Sequence, residues 1–264
     1  MLQYRDDGVV LRTQKLGEAD RIVTLLCRRN GRVRAVAKGV RRTKSRFGAR
    51  LEPFTYVDVL VHPGRSLDVI SQAEVIQPYG SVLAADYGRY TAGTAMLETA
   101  ERLTAVEKEP ALRQFLLLIG GLRTLGETGP ALPAGQQEKE PRLVLDAYLL
   151  RSLAVAGYAP ALEECARCGA PGLTADGSAP RGAKPLVAFA VAAGGMVCAG
   201  CRPPGALTPS PQTVELILAL LRGDWERAMS SERRQRVECS GLVAAHLQWH
   251  LEHSIRSLRH VERA

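Results

Sequence analysis

Two Cys-x-x-Cys pairs constrain this chain more than any other feature. Cys165-Ala166-Arg167-Cys168 and Cys198-Ala199-Gly200-Cys201 stand with 29 residues between Cys168 and Cys198. Each short turn aims two sulfurs at one point, and two such turns make a four-thiolate tetrahedron suited to Zn2+. Gly169 eases the first turn. The intervening segment holds Gly172, Asp176-Gly177, Pro180, Gly182 and Pro185, then the apolar residues 186–191. That reads as loop and a short hairpin, with too little core to fold without a staple. Protein fills all four positions, so one structural zinc ion is expected, with no place left for a reacting water. A redox pair and an iron–sulfur cluster are the rival uses of these residues, and a reducing compartment disfavours disulfides. Cys27 and Cys239 are single and read as packing residues.

The start of the chain and its hydropathy suggest that compartment. Residues 1–7 lead into no apolar core of the kind that a signal peptide needs. The longest apolar stretch, residues 186–200, carries two adjacent glycines and falls short of the roughly 18–20 residues of a membrane span. A cytoplasmic protein without a membrane partner is therefore expected. The 264 residues allow one large domain or two to three small ones, and 46% hydrophobic content excludes a largely disordered chain.

The charge is unevenly placed. Residues 1–50 hold 14 Lys+Arg against 4 Asp+Glu, a local charge of +10, whereas the remaining residues come to −2. Such concentration points to a polyanion, with nucleic acid preferred over an anionic membrane surface or a merely solvated face. The same region reads as a small barrel. Strands are expected at residues 8–13, 20–28, 32–38, 55–61 and 67–75, with Asn30-Gly31 as a tight turn. In residues 32–38 the period of two puts Val33, Ala35 and Ala37 on one face, and Arg32, Arg34, Val36 and Lys38 on the other. Five strands with one long basic connection fit an OB-type barrel. The candidate nucleic-acid contacts are Arg32, Arg34, Lys38, Arg41, Arg42, Lys44, Arg46 and Arg50. Lys and Arg meet phosphate, Arg in bidentate fashion. Phe47, Phe54 and Tyr56 offer faces on which bases could stack, with barrel core as the preferred reading of the last two.

From Ser81 the apolar period becomes helical. One helix is expected to Glu107, a second over residues 109–127, and a third over residues 141–156 with Leu143, Ala147, Leu150 and Ala154 as its apolar stripe. Gly129 to Gly135 breaks the second. After Cys201 come a helix over residues 213–222, a loop with Arg233, Arg234 and Arg236, and a helix over residues 242–262 striped by Leu247, Leu251, Ile255 and Leu258. His246, His250, His253 and His260 line that last helix. They read as a polar face, and His246 with His250 as a metal pair only in the alternative, because no His-Glu-x-x-His pattern accompanies them. Arg256, Arg259 and Arg263 form a second basic area. The fold class is thus α+β and multidomain. An OB-fold barrel spans 1–79, helices 80–160, a four-cysteine zinc module 161–205, and C-terminal helices 206–264 pack with the helical part.

Several segments together resemble the bacterial RecO family of recombination mediators. They are Gly8-Val9-Val10-Leu11-Arg12, the run from Lys15 to Leu26 containing Gly17-Glu18-Ala19-Asp20-Arg21, Gly31-Arg32, Ala37-Lys38-Gly39-Val40-Arg41-Arg42, Leu51-Glu52-Pro53-Phe54, residues 149–157, and the late cysteine pairs. Some members lack the cysteines, so this chain resembles the zinc-retaining form. The resemblance implies an OB domain, a helical domain and a zinc module set against it. It also implies binding of single- and double-stranded DNA, annealing of complementary strands, and work with RecR to load RecA on DNA coated by single-stranded-DNA-binding protein (SSB). In some members the acidic C-terminal tail of SSB docks on the helical domain.

No Gly-Lys dipeptide, Gly-x-Ser-x-Gly or Lys-x-Asp-Gly occurs, and no clustered acidic pair for two metals. Catalytic turnover is therefore not expected. A fragment of a DNA enzyme such as a ligase, an RNA-binding or translation-associated protein, and a scaffold touching only proteins are the competing classes.

Overall fold

The structure, a computed structural model, describes residues 2–45, 47–127, 139–173, 180–251 and 257–261. The chain divides into two compact units, Met1–Leu145 with Ile255–Ala264, and Asp146–Ser254. The first joins the barrel and the helices that follow it, which the sequence reads as separate.

Five strands close that barrel: β1 (Tyr4–Leu16), β2 (Asp20–Cys27), β3 (Gly31–Ala37), β4 (Thr55–His62) and β5 (Asp68–Pro78). Their order is β1-β2-β3-β5-β4, antiparallel except where β3 meets β5. Val33, Ala35 and Ala37 fill the core with Val23, Leu25 and Ile70, as the alternation requires, and Cys27 packs among them. The β2–β3 turn is built on the buried carboxylate of Asp6, which accepts the Asn30 N–H (3.0 Å) and Nδ2 (2.7 Å); burying a carboxylate without such donors would be costly. Gly31 follows with φ +59°. A Cβ there would lie 1.7 Å from the Glu109 carbonyl oxygen, so no other residue fits.

The outward side of the first three strands is not open. Val9 and Leu26 are fully buried there, and helices pack on β1 and β2. These are α2 (Tyr87–Leu103) and α3 (Leu112–Gly126), preceded by the short α1 (Tyr79–Leu83). The single helix expected from Ser81 to Glu107 is thus two, because the Asp86 side chain accepts the Arg89 N–H at 2.8 Å and starts a new N-terminus. Helix α4 (Pro141–Val155) is buried almost all round. Leu143, Ala147 and Leu150 are inside, but so are Val144, Leu145, Tyr148 and Leu149, while Ala154 is half-buried. The expected stripe is therefore too narrow. Near the end of the chain, α8 (Leu258–Val261) returns to α2, where Glu98 accepts the Ser257 N–H (3.0 Å) and Oγ (2.7 Å).

In the second unit β6 (Leu186–Ala190) and β7 (Gly195–Cys198) make the hairpin expected before the second cysteine pair. Helices α5 (Pro211–Arg222), α6 (Trp225–Met229) and α7 (Arg233–His250) follow. Ser210 caps α5, and Glu238 of α7 accepts its hydroxyl at 2.9 Å. Arg233, Arg234 and Arg236 lie in the first turn of α7, not in a loop, because Glu232 and Gln235 form a capping box there. The expected 242–262 helix ends at His250, and Leu258 belongs to α8. Cys239 is buried within α7 as a packing residue. Among the described residues no helix is long and apolar enough to cross a membrane.

Candidate nucleic-acid interface and metal centre

The β3–β4 connection is basic but well anchored. The Asp20 carboxylate accepts the Gly39 N–H at 2.7 Å, and the Ala19 carbonyl accepts the Arg41 N–H at 3.0 Å. The Arg41 guanidinium donates to the carbonyls of Gly17 (3.2 Å) and Glu18 (2.9 Å), while Arg21 pairs with Glu52 at 2.6 Å. The loop is thereby tied to the β1–β2 turn at one end and to residue 52 at the other. Inside it, the Ser45 hydroxyl accepts the Phe47 N–H (3.2 Å) and steers that ring inward.

What this scaffold presents to solvent is positive charge. Lys38, Arg42, Lys44 and Arg50 are exposed, and Lys38, Arg42 and Lys44 have no side-chain partner among the described residues. Lys15, not among the expected contacts, is exposed at the same end of the barrel. Its register partner Arg21 sits opposite Ala37, the residue before Lys38. Its signal in the sequence was only its place two residues before the Gly17 turn. Arg41 keeps its charge but spends donors on the two carbonyls. Arg46 lies outside the described residues.

Arg32 and Arg34 stand apart from this set. The outer face of β3 abuts the end of α2, where Arg32 donates to the carbonyls of Glu101 (3.5 Å) and Ala105, and Arg34 pairs with Glu107 at 3.4 Å. A cation at a helix C-terminus meets unsatisfied carbonyls and the negative end of the helix dipole. Phe47 is 1% exposed, packed in the barrel core with Leu51 and Val40, so it offers no face to a base. Phe54 is buried against Tyr90, ring centroids 5.6 Å apart. Tyr56 is half-buried against Phe115 and donates to Asp7 Oδ2 at 2.5 Å; burial and that bond push its pKa up to about 12. The loop therefore meets a ligand through charge, without aromatic stacking from these three rings.

The four cysteines converge. The sulfurs of Cys165, Cys168, Cys198 and Cys201 all lie within 4.8 Å of one another, with Cys168 and Cys198 at 4.0 Å. A tetrahedral ion with bonds of about 2.3 Å would set them about 3.8 Å apart, so the quartet is nearly at coordinating geometry. The Gly169 N–H closes the first knuckle on the Cys165 carbonyl (2.8 Å), with Gly169 at φ +68°. The Ala166 N–H donates to the Met196 carbonyl (2.8 Å), which ties that knuckle to β7. Burial pushes the Cys165 thiol up, but the N–H groups of Cys198, Cys168 and Arg167 outweigh it and bring the pKa down to about 6. Cys201, crowded by Cys198 and Cys168, is pushed up to about 12. Four sulfurs this close do not all ionise without a cation to share the charge. The donor set thus fits a soft or borderline metal ion.

The histidine line is not a polar face at its start. His246 is 1% exposed, bonded through Nε2 to the Tyr158 carbonyl (2.9 Å), and His250 stacks on the Tyr158 ring at 4.5 Å. Burial lowers the pKa of both. His253, Arg256 and Arg263 lie outside the described residues, as does the side chain of Arg259.

Comparison with known proteins agrees along the whole chain. The family model described as "Recombination protein O N terminal" matches residues 1–79, and "Recombination protein O C terminal" matches residues 84–259. The DNA repair protein RecO of Thermobifida fusca (strain YX) is 66% identical over 264 residues, covering all of both chains. Those of Frankia casuarinae and Streptomyces avermitilis are each 58% identical, covering at least 99% of both chains.

Proposed function

The chain belongs to the RecO family of DNA repair proteins, and from that premise we propose that it is a recombination mediator that binds and anneals DNA without catalytic turnover. The supporting observation is the anchored loop whose Lys38, Arg42 and Lys44 carry charge unmatched by any neighbour among the described residues. Complementary strands repel through their phosphates. Cations held on a rigid barrel lower that repulsion and release counterions, so pairing needs no nucleotide hydrolysis. Contacts of this kind follow the backbone and carry little sequence preference. Both single- and double-stranded DNA are therefore ligands.

Cys165, Cys168, Cys198 and Cys201 would hold one Zn2+. A zinc ion bound by four thiolates supplies structural stapling. The chain's own part is to bring the two knuckles together through the β6–β7 hairpin and the Ala166–Met196 hydrogen bond. In the cell the protein works in the cytoplasm, at the nucleoid, with RecR and with the acidic tail of SSB, so that RecA can load.

Titration of labelled single-stranded and duplex oligonucleotides with the purified protein tests the reading. Binding to both, weakening steeply with salt, is expected. An absence of binding in dilute buffer would overturn it.

A further inference from the structure

We propose that the barrel has a second phosphate-binding site, made by Arg12 and Arg34, which the chain's own Glu101 and Glu107 occupy until a DNA strand displaces them. The inference rests on the DNA-binding reading above and adds a site to it. Arg12 of β1 lies opposite Thr24 of β2, and Thr24 lies opposite Arg34 of β3. The two arginines therefore share the outer face, two strand spacings or about 10 Å apart. Arg12 Nη2 is 2.8 Å from Glu101 Oε1, and Arg34 Nη1 is 3.4 Å from Glu107 Oε1.

These pairs sit at the edge of the helix-covered face. The arginine side chains are 44% and 34% exposed and the carboxylates 19% and 37%. A pair this exposed changes an equilibrium constant by about five-fold at most, so a competing anion removes it easily. Carboxylate and phosphate oxygens are alternative acceptors for the same guanidinium fork. The present acceptors also leave capacity unmet, because Nε of both arginines is shielded from water and has no partner.

The acidic segment itself is held in place, so only side chains need to move. Arg32 grips the Glu101 and Ala105 carbonyls, and its own carbonyl accepts the Lys108 N–H at 2.8 Å. Lys108 adopts φ +61° and reaches the buried Asp68 at 2.9 Å. Arg12 and Arg34 lie away from the loop cations, which begin beyond Ala37. One barrel thus offers separate cationic places to two strands, which annealing requires.

The test compares wild type with Glu101→Gln/Glu107→Gln in the full chain, measuring affinity for a labelled oligothymidylate against salt. A Glu74→Gln/Glu164→Gln variant, changed at two exposed acids elsewhere, controls for net charge. Unfolding midpoints check that each variant folds. The Glu101/Glu107 variant should steepen the salt slope by about 1.4, two single-strand phosphate contacts, and bind several-fold tighter at low salt. Adding Arg12→Gln/Arg34→Gln should erase both gains. A slope equal to that of the control, or a gain that survives loss of the arginines, overturns the inference while leaving the loop site standing. Wild type that ignores DNA overturns the DNA-binding reading and this site with it.

Discussion

Neutralising Lys38, Arg42 and Lys44 together, each to Gln, removes the three loop cations that have no partner among the described residues. The substitutions break no ion pair and lie on the surface, so each should change stability by less than about 0.5 kcal/mol. Their effect on DNA is calculable. A phosphate contact contributes about 0.7 to the logarithmic salt slope on single strands and about 0.9 on duplex. Three contacts are therefore worth about 2.1 and about 2.7. From about 50 to about 200 mM salt, wild type should lose about 20-fold more single-strand affinity than the variant, and about 40-fold more duplex affinity. Fluorescence anisotropy across that range reads both slopes. Arg32→Gln is the internal contrast. It should leave the slopes unchanged and lower stability by about 1–2 kcal/mol, since Arg32 serves the end of α2. Parallel salt plots for wild type and the triple variant would refute the argument, because they would mean that none of the three cations meets a phosphate.

The second unit contains both tryptophans of the chain, Trp225 and Trp249, so intrinsic fluorescence reports its unfolding. Cys165→Ala with Cys168→Ala should abolish binding of one equivalent of zinc and lower that transition by several kcal/mol, while the salt slope of DNA binding stays unchanged; metal analysis and urea titration check this. A zinc-free wild type purified from metal-replete medium would count against the four-cysteine site. Burial holds His246 and His250 below their ordinary value of 6.5. The unfolded chain then takes up protons first, so their stabilisation is complete above about pH 6.5 and is lost as pH falls through the depressed values. The urea midpoint should drop between about pH 7.5 and about pH 5.5 in samples of equal metal content, and His246→Gln should flatten the trend. A midpoint that rises toward acid would contradict the sign.

Where a pattern depended on neighbours close in sequence, it was legible. Alternation in residues 32–38 correctly assigned Val33, Ala35 and Ala37 to the core, and the two cysteine pairs announced a converging site. What alternation cannot tell is what covers the other face. Arg32 and Arg34 point outward as expected, but α2 arrives there from some seventy residues away, and its terminal carbonyls turn apparent ligand contacts into internal ones. Phe47 misled for the same reason. A lone aromatic in a run of arginines looks solvent-facing, yet Ser45 turns its backbone inward to fill the barrel. His246 is polar by composition and buried because Tyr158 satisfies it. The Gly17–Arg21 motif was noticed as a resemblance, and the structure supplies its physical content. Asp20, Arg21 and the carbonyls of Gly17 and Glu18 fix the position of the loop.

The most direct test of the central claim is the annealing of complementary strands, each covered by SSB, with no nucleotide present. The account predicts that wild type accelerates duplex formation, that the Lys38/Arg42/Lys44 variant loses most of the acceleration, and that added ATP changes neither. Equal rates for wild type and variant, or acceleration that needs ATP, would contradict it.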